Sequence, residues 1–321
     1  ELAFGYETYW SMRLADEASS WAGVVMVERM QAKETVTDKA KKHLALLDEA
    51  AAGPQLYILD AGHGKDILNV YQTCKHTDIV MRVKSNQSFY AEPESYKGRG
   101  RPKKHGKRFN LGDETTQPES KPMLTTYKGK ALRIITWSNL HYETYSDVKG
   151  KILKLEFIDA KGNPSFAKPI WLFTSNMTLD PETIARAYLW RSSHELSFRF
   201  AKQHLGLTQA QSPDPQHCDA WLGLVALAMN LLLASRDHLQ ARPDPWYPQQ
   251  AQKPISQRQA QKQALAFFLD LATPIKPPRP TGKGSGRPIG FHPRPRIRHP
   301  IIRKTPKRPN PCPNCPFKLA V

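Results

Sequence analysis

One stretch restricts the fold more than any other: residues 180–206, DPETIARAYLWRSSHELSFRFAKQHLG. Asp180 is a good helix N-cap, and Pro181 suits the first turn, where its missing N–H costs nothing. Gly206 supplies a stop, because glycine tolerates the left-handed backbone that ends helices. Nothing between them breaks a helix, so the spacing predicts one continuous helix. At about 100° per residue, Tyr188, Arg191, Glu195 and Lys202 share one stripe roughly 60° wide. Ala185, Leu189, Leu196 and Phe200 fall on the predicted packing face. One account of the polar stripe is a solvated salt-bridge face, since Arg191 and Glu195 form an i,i+4 pair worth a few tenths of a kcal/mol. The other account is a functional face.

Charge narrows the choice of partner. The chain of 321 residues carries a formal net charge of +18, concentrated in two places. Seven Lys/Arg and no acid lie between Lys97 and Arg108, and twelve Lys/Arg and no acid between Leu271 and Val321. Outside these runs basic and acidic residues nearly balance. Localised positive charge suits a polyanion touched at particular places, and a soluble basic tail without a partner is the plainer alternative. The four cysteines are scattered, which fits a reducing compartment and gives no disulfide framework. Cys312 and Cys315 have the spacing of half a zinc site, with no matching second half. The longest apolar run, Ala220 to Ala234, is interrupted by Asn230 and is expected to be a buried helix rather than a membrane span.

Read in order, residues 5–15 and 21–30 predict two strands joined by a polar turn at 16–20. Residues 34–52 predict an amphipathic helix. Leu56–Asp60 reads as a short buried strand ending in a carboxylate, followed by Ala-Gly-His-Gly. A helix over 65–76 and a strand over 79–84 follow. Asp60 before a glycine-rich turn is either a turn cap or a carboxylate left open to a metal. Residues 87–163 change character and hold Arg99, Arg101, Lys103 and Lys104 in a Gly-Arg-Gly-Arg-Pro-Lys-Lys run. Such a run can lie in a narrow minor groove or contact phosphates generically. Strands are predicted at 131–137, 151–158 and 168–174. A last helix over 216–240 is expected to pack through Trp221, Leu224, Leu227, Leu231 and Ala234, and another helix is expected over 256–271. From Pro274 the Pro, Arg and Lys content predicts a disordered tail.

The spacing Tyr188-x2-Arg191-x3-Glu195-x6-Lys202 resembles the signature of bacterial insertion-sequence transposases with an Asp-Asp-Glu triad, in the group carrying the Tyr-Arg-Glu-Lys motif. The segments NQSFYAEP, GRGRPKKHGKRF, KPIWLF and YLWRSSHELSFRFAKQHLGLT are similar to that family in order, and the likeness spans most of residues 20–240. It implies an α/β, RNase H-like catalytic core (a mixed sheet flanked by helices) interrupted by a β-rich insertion. The expected division is 1–86 for the first part of the core, 87–165 for the insertion, 166–272 for the second part with the catalytic helix, and 273–321 for the basic tail. The order strand, strand, helix, strand with Asp60, helix, strand is that of an RNase H-like fold entered one strand late. The expectation is therefore an N-terminally truncated copy lacking the first catalytic Asp, and inactive for that reason.

The resemblance also implies chemistry. Asp60 and Glu195 become metal-binding catalytic carboxylates for two Mg²⁺ or Mn²⁺ ions. Tyr188, Arg191, Lys202 and the basic loop become DNA contacts, and Trp171 either packs in the core or stacks on a flipped base. The expected partners are transposon-end and target DNA and a second copy of the chain, with no membrane or small-molecule substrate, in a bacterial cytoplasm at the nucleoid. Two other classes stay open: a DNA-binding remnant without catalysis, and an RNase H-like nuclease acting on RNA or repair intermediates.

Overall fold

A computed structural model describes residues 7–15, 20–96, 98, 101–210, 212–239 and 255–271, the last seven by their backbone alone. The predicted tail, Arg99, Cys312 and Cys315 lie outside the described residues.

Strands β1 (Thr8–Leu14) and β2 (Ala22–Arg29) pair antiparallel and form a two-stranded sheet of their own. Helix α1 (Val36–Glu49) starts at a capping box in which Thr35 and Asp38 satisfy each other's backbone N–H. It buries Ala40, His43 and Leu44. Strand β3 (Gln55–Leu59) runs parallel to β4 (Thr77–Val83), with Leu59 opposite Met81. Between them lie a 3₁₀ turn at Lys65–Ile67 and the single-turn helix α2 (Leu68–Tyr71). This is shorter than the helix expected over 65–76. The N–H groups of Thr73 and Cys74 bond back only three residues, and the Asp48 carboxylate accepts the next free ones, from Lys75 and His76, at 2.8 Å each.

The next strands are β5 (Ser88–Tyr90), β6 (Arg108–Asn110), β7 (Met123–Tyr127), β8 (Lys130–Tyr142), β9 (Tyr145–Ile158) and β10 (Ile170–Thr174). They join β3 and β4 in one mixed sheet ordered β3-β4-β10-β9-β8-β5-β6, with β7 also on β8. Strand β10 thus returns between β4 and β9. The long β8–β9 hairpin extends the sheet that carries Asp60 at its edge. Period-two alternation sends Trp171 and Phe173 into one core and Leu172 into the other. The first core packs under α1 and α2, with Phe89, Phe109 and Trp137. The second packs under helix α3 (Pro181–Trp190), through Ile184, Ala185 and Tyr188. Helices α4 (Ser193–His204), α5 (Pro215–Ser235) and α6 (Gln257–Leu271) pack with the β1–β2 hairpin in two further clusters.

Two further expectations need correction. Residues 180–206 are two helices with a break at Arg191–Ser192. There the N–H groups of Arg191, Ser192, His194 and Glu195 all bond back three residues rather than four. The Ser192 hydroxyl donates to the Leu189 carbonyl at 3.1 Å, and the His194 ring sits against the Arg191 carbonyl. Side chains competing for helix carbonyls loosen the ladder at this point. Beyond the break the buried face turns: Ser193 and Ser197 are buried, whereas Leu196, expected to pack, is exposed.

The second correction concerns α5. The face expected to pack, Leu224, Leu227 and Leu231, points outward, and Leu222, Val225, Ala226, Met229 and Leu232 are buried instead. The helix is apolar all round, so hydrophobic period alone does not select its inner face. Asn230 does: its side-chain amide donates to Val24 O at 2.8 Å and its carbonyl accepts Val24 N–H at 2.7 Å on β2. By length and composition Pro215–His238 is long and apolar enough to cross a membrane.

Candidate active site

Asp60 is the residue after β3, where the chain turns sharply away through Ala61-Gly62-His63-Gly64. Its Oδ1 accepts the Ala61 N–H at 2.8 Å and the Tyr188 hydroxyl at 3.2 Å. Arg82 Nη1 lies 3.9 Å from the same oxygen. Arg191 Nη2 lies 3.4 Å from Asp60 Oδ2 and 3.9 Å from Glu195 Oε1. One guanidinium nitrogen therefore stands between two carboxylates that are 135 positions apart in the chain.

Each side chain reaches this point for a local reason. Tyr188 is buried in the core beneath α3, and only its hydroxyl emerges at Asp60. Arg191 is the residue at which α3 ends, so its side chain leaves the helix beside Tyr188, with the guanidinium carbon 5.5 Å from that ring's centre. Glu195 sits in the first turn of α4, and its side chain is 65% exposed. Asp60 is 43% exposed and Arg191 21%. The pair of acids is therefore open to solvent while the arginine between them is largely covered. Arg191 Nε is buried with no acceptor among the described residues.

Half-burial pushes the Asp60 carboxyl up, but the Ala61 N–H, Arg191, the Tyr188 hydroxyl and Arg82 together outweigh it and hold the group below the usual carboxylate range. Burial and then the Asp60 charge raise the Tyr188 phenol, so it stays a hydrogen-bond donor. His63 and His194, on either side of the site, are both pushed down by burial and stay neutral near pH 7.

Among the expected site residues, the structure gathers Asp60, Tyr188, Arg191 and Glu195. Lys202 is exposed about two turns further along α4, roughly 10 Å away by helix rise, with no contact to this cluster. Arg101, Lys103 and Lys104 are exposed in the loop between β5 and β6. That loop is pinned at its far end, where the Gly106 N–H bonds Ala91 O at 2.8 Å and His105 Nδ1 meets His141 Nε2 at 2.9 Å. Trp171 is a core residue, 5.9 Å ring to ring from Trp137.

Three residues escaped the sequence reading. Arg82 follows the last β3–β4 pair, so parallel register brings it level with Asp60. A lone arginine in the apolar run Ile79–Val83 was the available signal. His63 and Tyr9 had none. Their importance comes from a hydrogen-bonded file, His63–Tyr9–Tyr57–Ser11–His43, with steps of 3.1, 3.2, 3.2 and 2.8 Å. The file links β1 to β3 through side chains. Among the described residues, β1 pairs with β2 alone and β3 with β4 alone, so each has an open edge.

Two carboxylates converging on one cation position are a hard-oxygen donor set, suited to Mg²⁺ or Mn²⁺ that keep several waters. No group of three or more His, Cys, Asp or Glu that could hold a metal occurs among the described residues. In comparisons with known proteins, the family described as "Transposase DDE domain" matches the chain over residues 27–231, a range holding Asp60, Arg82 and the whole Tyr188–Lys202 motif. A search of curated proteins found no match.

Proposed function

Because the chain belongs to the DDE transposase family, we propose that it carries the catalytic face of an enzyme that cleaves phosphodiesters and transfers strands at the ends of an insertion sequence. The observation that carries this reading is the placement of Asp60 and Glu195 on either side of Arg191 Nη2. In this reading Asp60 and Glu195 hold Mg²⁺ or Mn²⁺. The ions, when bound, lower the pKa of an attacking water and stabilise the oxygens of an in-line displacement. Arg191 clamps a phosphate of the transposon end, Tyr188 fixes the Asp60 carboxylate, and Lys202 and the 101–104 loop hold the flanking duplex. The partners are DNA and, by family expectation, a second copy of the chain in a bacterial nucleoid.

The sheet reads as RNase H-like in the order of its elements, with Asp60 at the end of a strand parallel to its neighbour. That fold has one more strand between β1 and β3. Among the described residues the two edges there are joined by the Tyr9–Tyr57 and Ser11–Tyr57 side-chain contacts rather than by strand pairing, which supports a reading in which a further strand ending in the first Asp completes the site. In this reading residues 87–165 are the insertion, and its β8–β9 hairpin joins the rest of the sheet through β10.

The second reading, a DNA-binding remnant without catalysis, is favoured by the two-carboxylate donor set. A Mg²⁺- or Mn²⁺-dependent nicking assay on DNA carrying the element's own ends separates the two. The expected outcome is DNA binding that survives Asp60→Asn and Glu195→Gln. Nicking should be weak, because no third carboxylate joins Asp60 and Glu195 among the described residues. Strong nicking abolished by Glu195→Gln would remove the need for a third carboxylate. Nicking indifferent to both substitutions would remove the site.

A further inference from the structure

The position of Arg191 implies an order of events. Its Nη2 lies near both carboxylates, at 3.4 and 3.9 Å. Those are ion-pair distances, too long for strong hydrogen bonds. Its Nε is buried with no acceptor among the described residues. The guanidinium is thus a covered charge with loose partners and a spare donor. Arg82, on the other side of Asp60 at 3.9 Å, and the Tyr188 hydroxyl complete the neutralisation of Asp60.

We propose that Arg191 is a counter-ion gate: it shields Asp60 and Glu195 from divalent cations until a DNA phosphate draws its guanidinium away. The inference rests on the reading of these two acids as metal ligands. The physical reason is exclusion. A guanidinium cannot stand between two carboxylates and clamp a phosphate at the same time, and a divalent ion cannot share the space without strong repulsion. A phosphate can take two of its N–H groups at once through two oxygens, whereas here a single Nη2 meets one oxygen of each carboxylate. Moving to that partner removes a positive charge from between the acids and adds a negative one beside them. Both changes favour a divalent ion. DNA and metal should therefore bind with positive coupling carried by one side chain, and the coupling must be reciprocal.

The test measures Mn²⁺ binding to the full chain by the loss of free-ion electron paramagnetic resonance, with and without a saturating short duplex, after subtracting a duplex-only blank. Duplex should tighten Mn²⁺ binding to the wild type by about 5- to 150-fold, the usual range of site-to-site coupling. Arg191→Gln should tighten binding by roughly tenfold without DNA and lose most of the duplex effect. Wild-type protein needs no folding control, so the duplex arm stands if Arg191→Gln misfolds. Asp60→Asn and Glu195→Gln tell the two failures apart. If Mn²⁺ binding ignores them, the metal-site reading is wrong. If they abolish it while neither duplex nor Arg191→Gln changes the wild-type affinity, the gate alone is overturned.

Discussion

At the scale of single residues, the clearest lesson is how a side chain's partner decides its charge. His43 is fully buried on α1, with Nδ1 2.8 Å from Ser11 Oγ and Nε2 without a partner among the described residues. Burial pushes its pKa down, more strongly than the nearby Glu28, Lys39, Lys42 and Glu34 charges adjust it. The folded chain therefore keeps His43 neutral at pH values where the unfolded chain has protonated it. Below an unfolded pKa of about 6.5 the unfolded state binds more protons, so this contribution to stability falls as pH drops. Between pH 7 and pH 5, denaturant midpoints should decline for the wild type. His43→Gln, which keeps a polar contact to Ser11 but cannot titrate, should decline less. An equal decline in both would place the pH sensitivity elsewhere. Asp60 has the same sign in a more acidic window: its carboxyl is held below the usual carboxylate range, so the unfolded chain takes up this proton first, and the stability from its ties to Arg191 and Arg82 is lost as pH falls through the carboxylate range.

Among elements, α5 is the most instructive. Its sequence is uncharged from Ala220 to Ser235, so any face could have been buried. Asn230 fixes the choice by bonding both backbone groups of Val24. Asn230→Ala leaves a half-buried N–H and C=O without those partners and should cost about 2 kcal/mol in chemical unfolding. Leu227→Gln, on the exposed face, should stay within about 0.5 kcal/mol, and Met229→Ala, on the buried face, should cost about 2–5 kcal/mol. A reversed ranking of Leu227 and Met229 would mean that the helix is turned over. The broken 181–204 segment makes the same point for the site. A straight helix would have kept Leu196 on the packing side, and the break at Arg191 instead lets that arginine reach across to β3.

For the whole molecule, the part of the charge asymmetry that falls on described residues, the basic loop, is carried on exposed surface. Arg101, Lys103 and Lys104 stand on a loop anchored by Gly106 and His105. A Cβ at position 106 would come within 2.1 Å of Glu92 O, so only glycine lets the anchor lie so close to the Ala91–Glu92 backbone. If the three cations each neutralise one phosphate, replacing all three with Gln should make the slope of log K against log salt shallower by about 3. A parallel shift with unchanged slope would show that the loop does not touch the backbone. Strand order is the other property of the whole. The β1–β2 hairpin stands apart from the main sheet, and the boundary between them runs beside Asp60.

Much of this was legible beforehand. Strong local signals fixed their elements: the Thr35–Asp38 box started α1, and the apolar Leu56–Leu59 run before a glycine-rich turn put Asp60 at a strand end. The Tyr-Arg-Glu-Lys spacing named three residues that cluster with it, Tyr188, Arg191 and Glu195, since side-chain type and separation along a helix are local properties. Tertiary structure alone decided the rest. It broke the helix at Arg191, chose the inner face of α5, brought Arg82 level with Asp60 through parallel register, and threaded β10 between β4 and β9. Each of these depends on what a residue meets from a distant part of the chain, and hydrophobic period and capping chemistry do not encode that meeting.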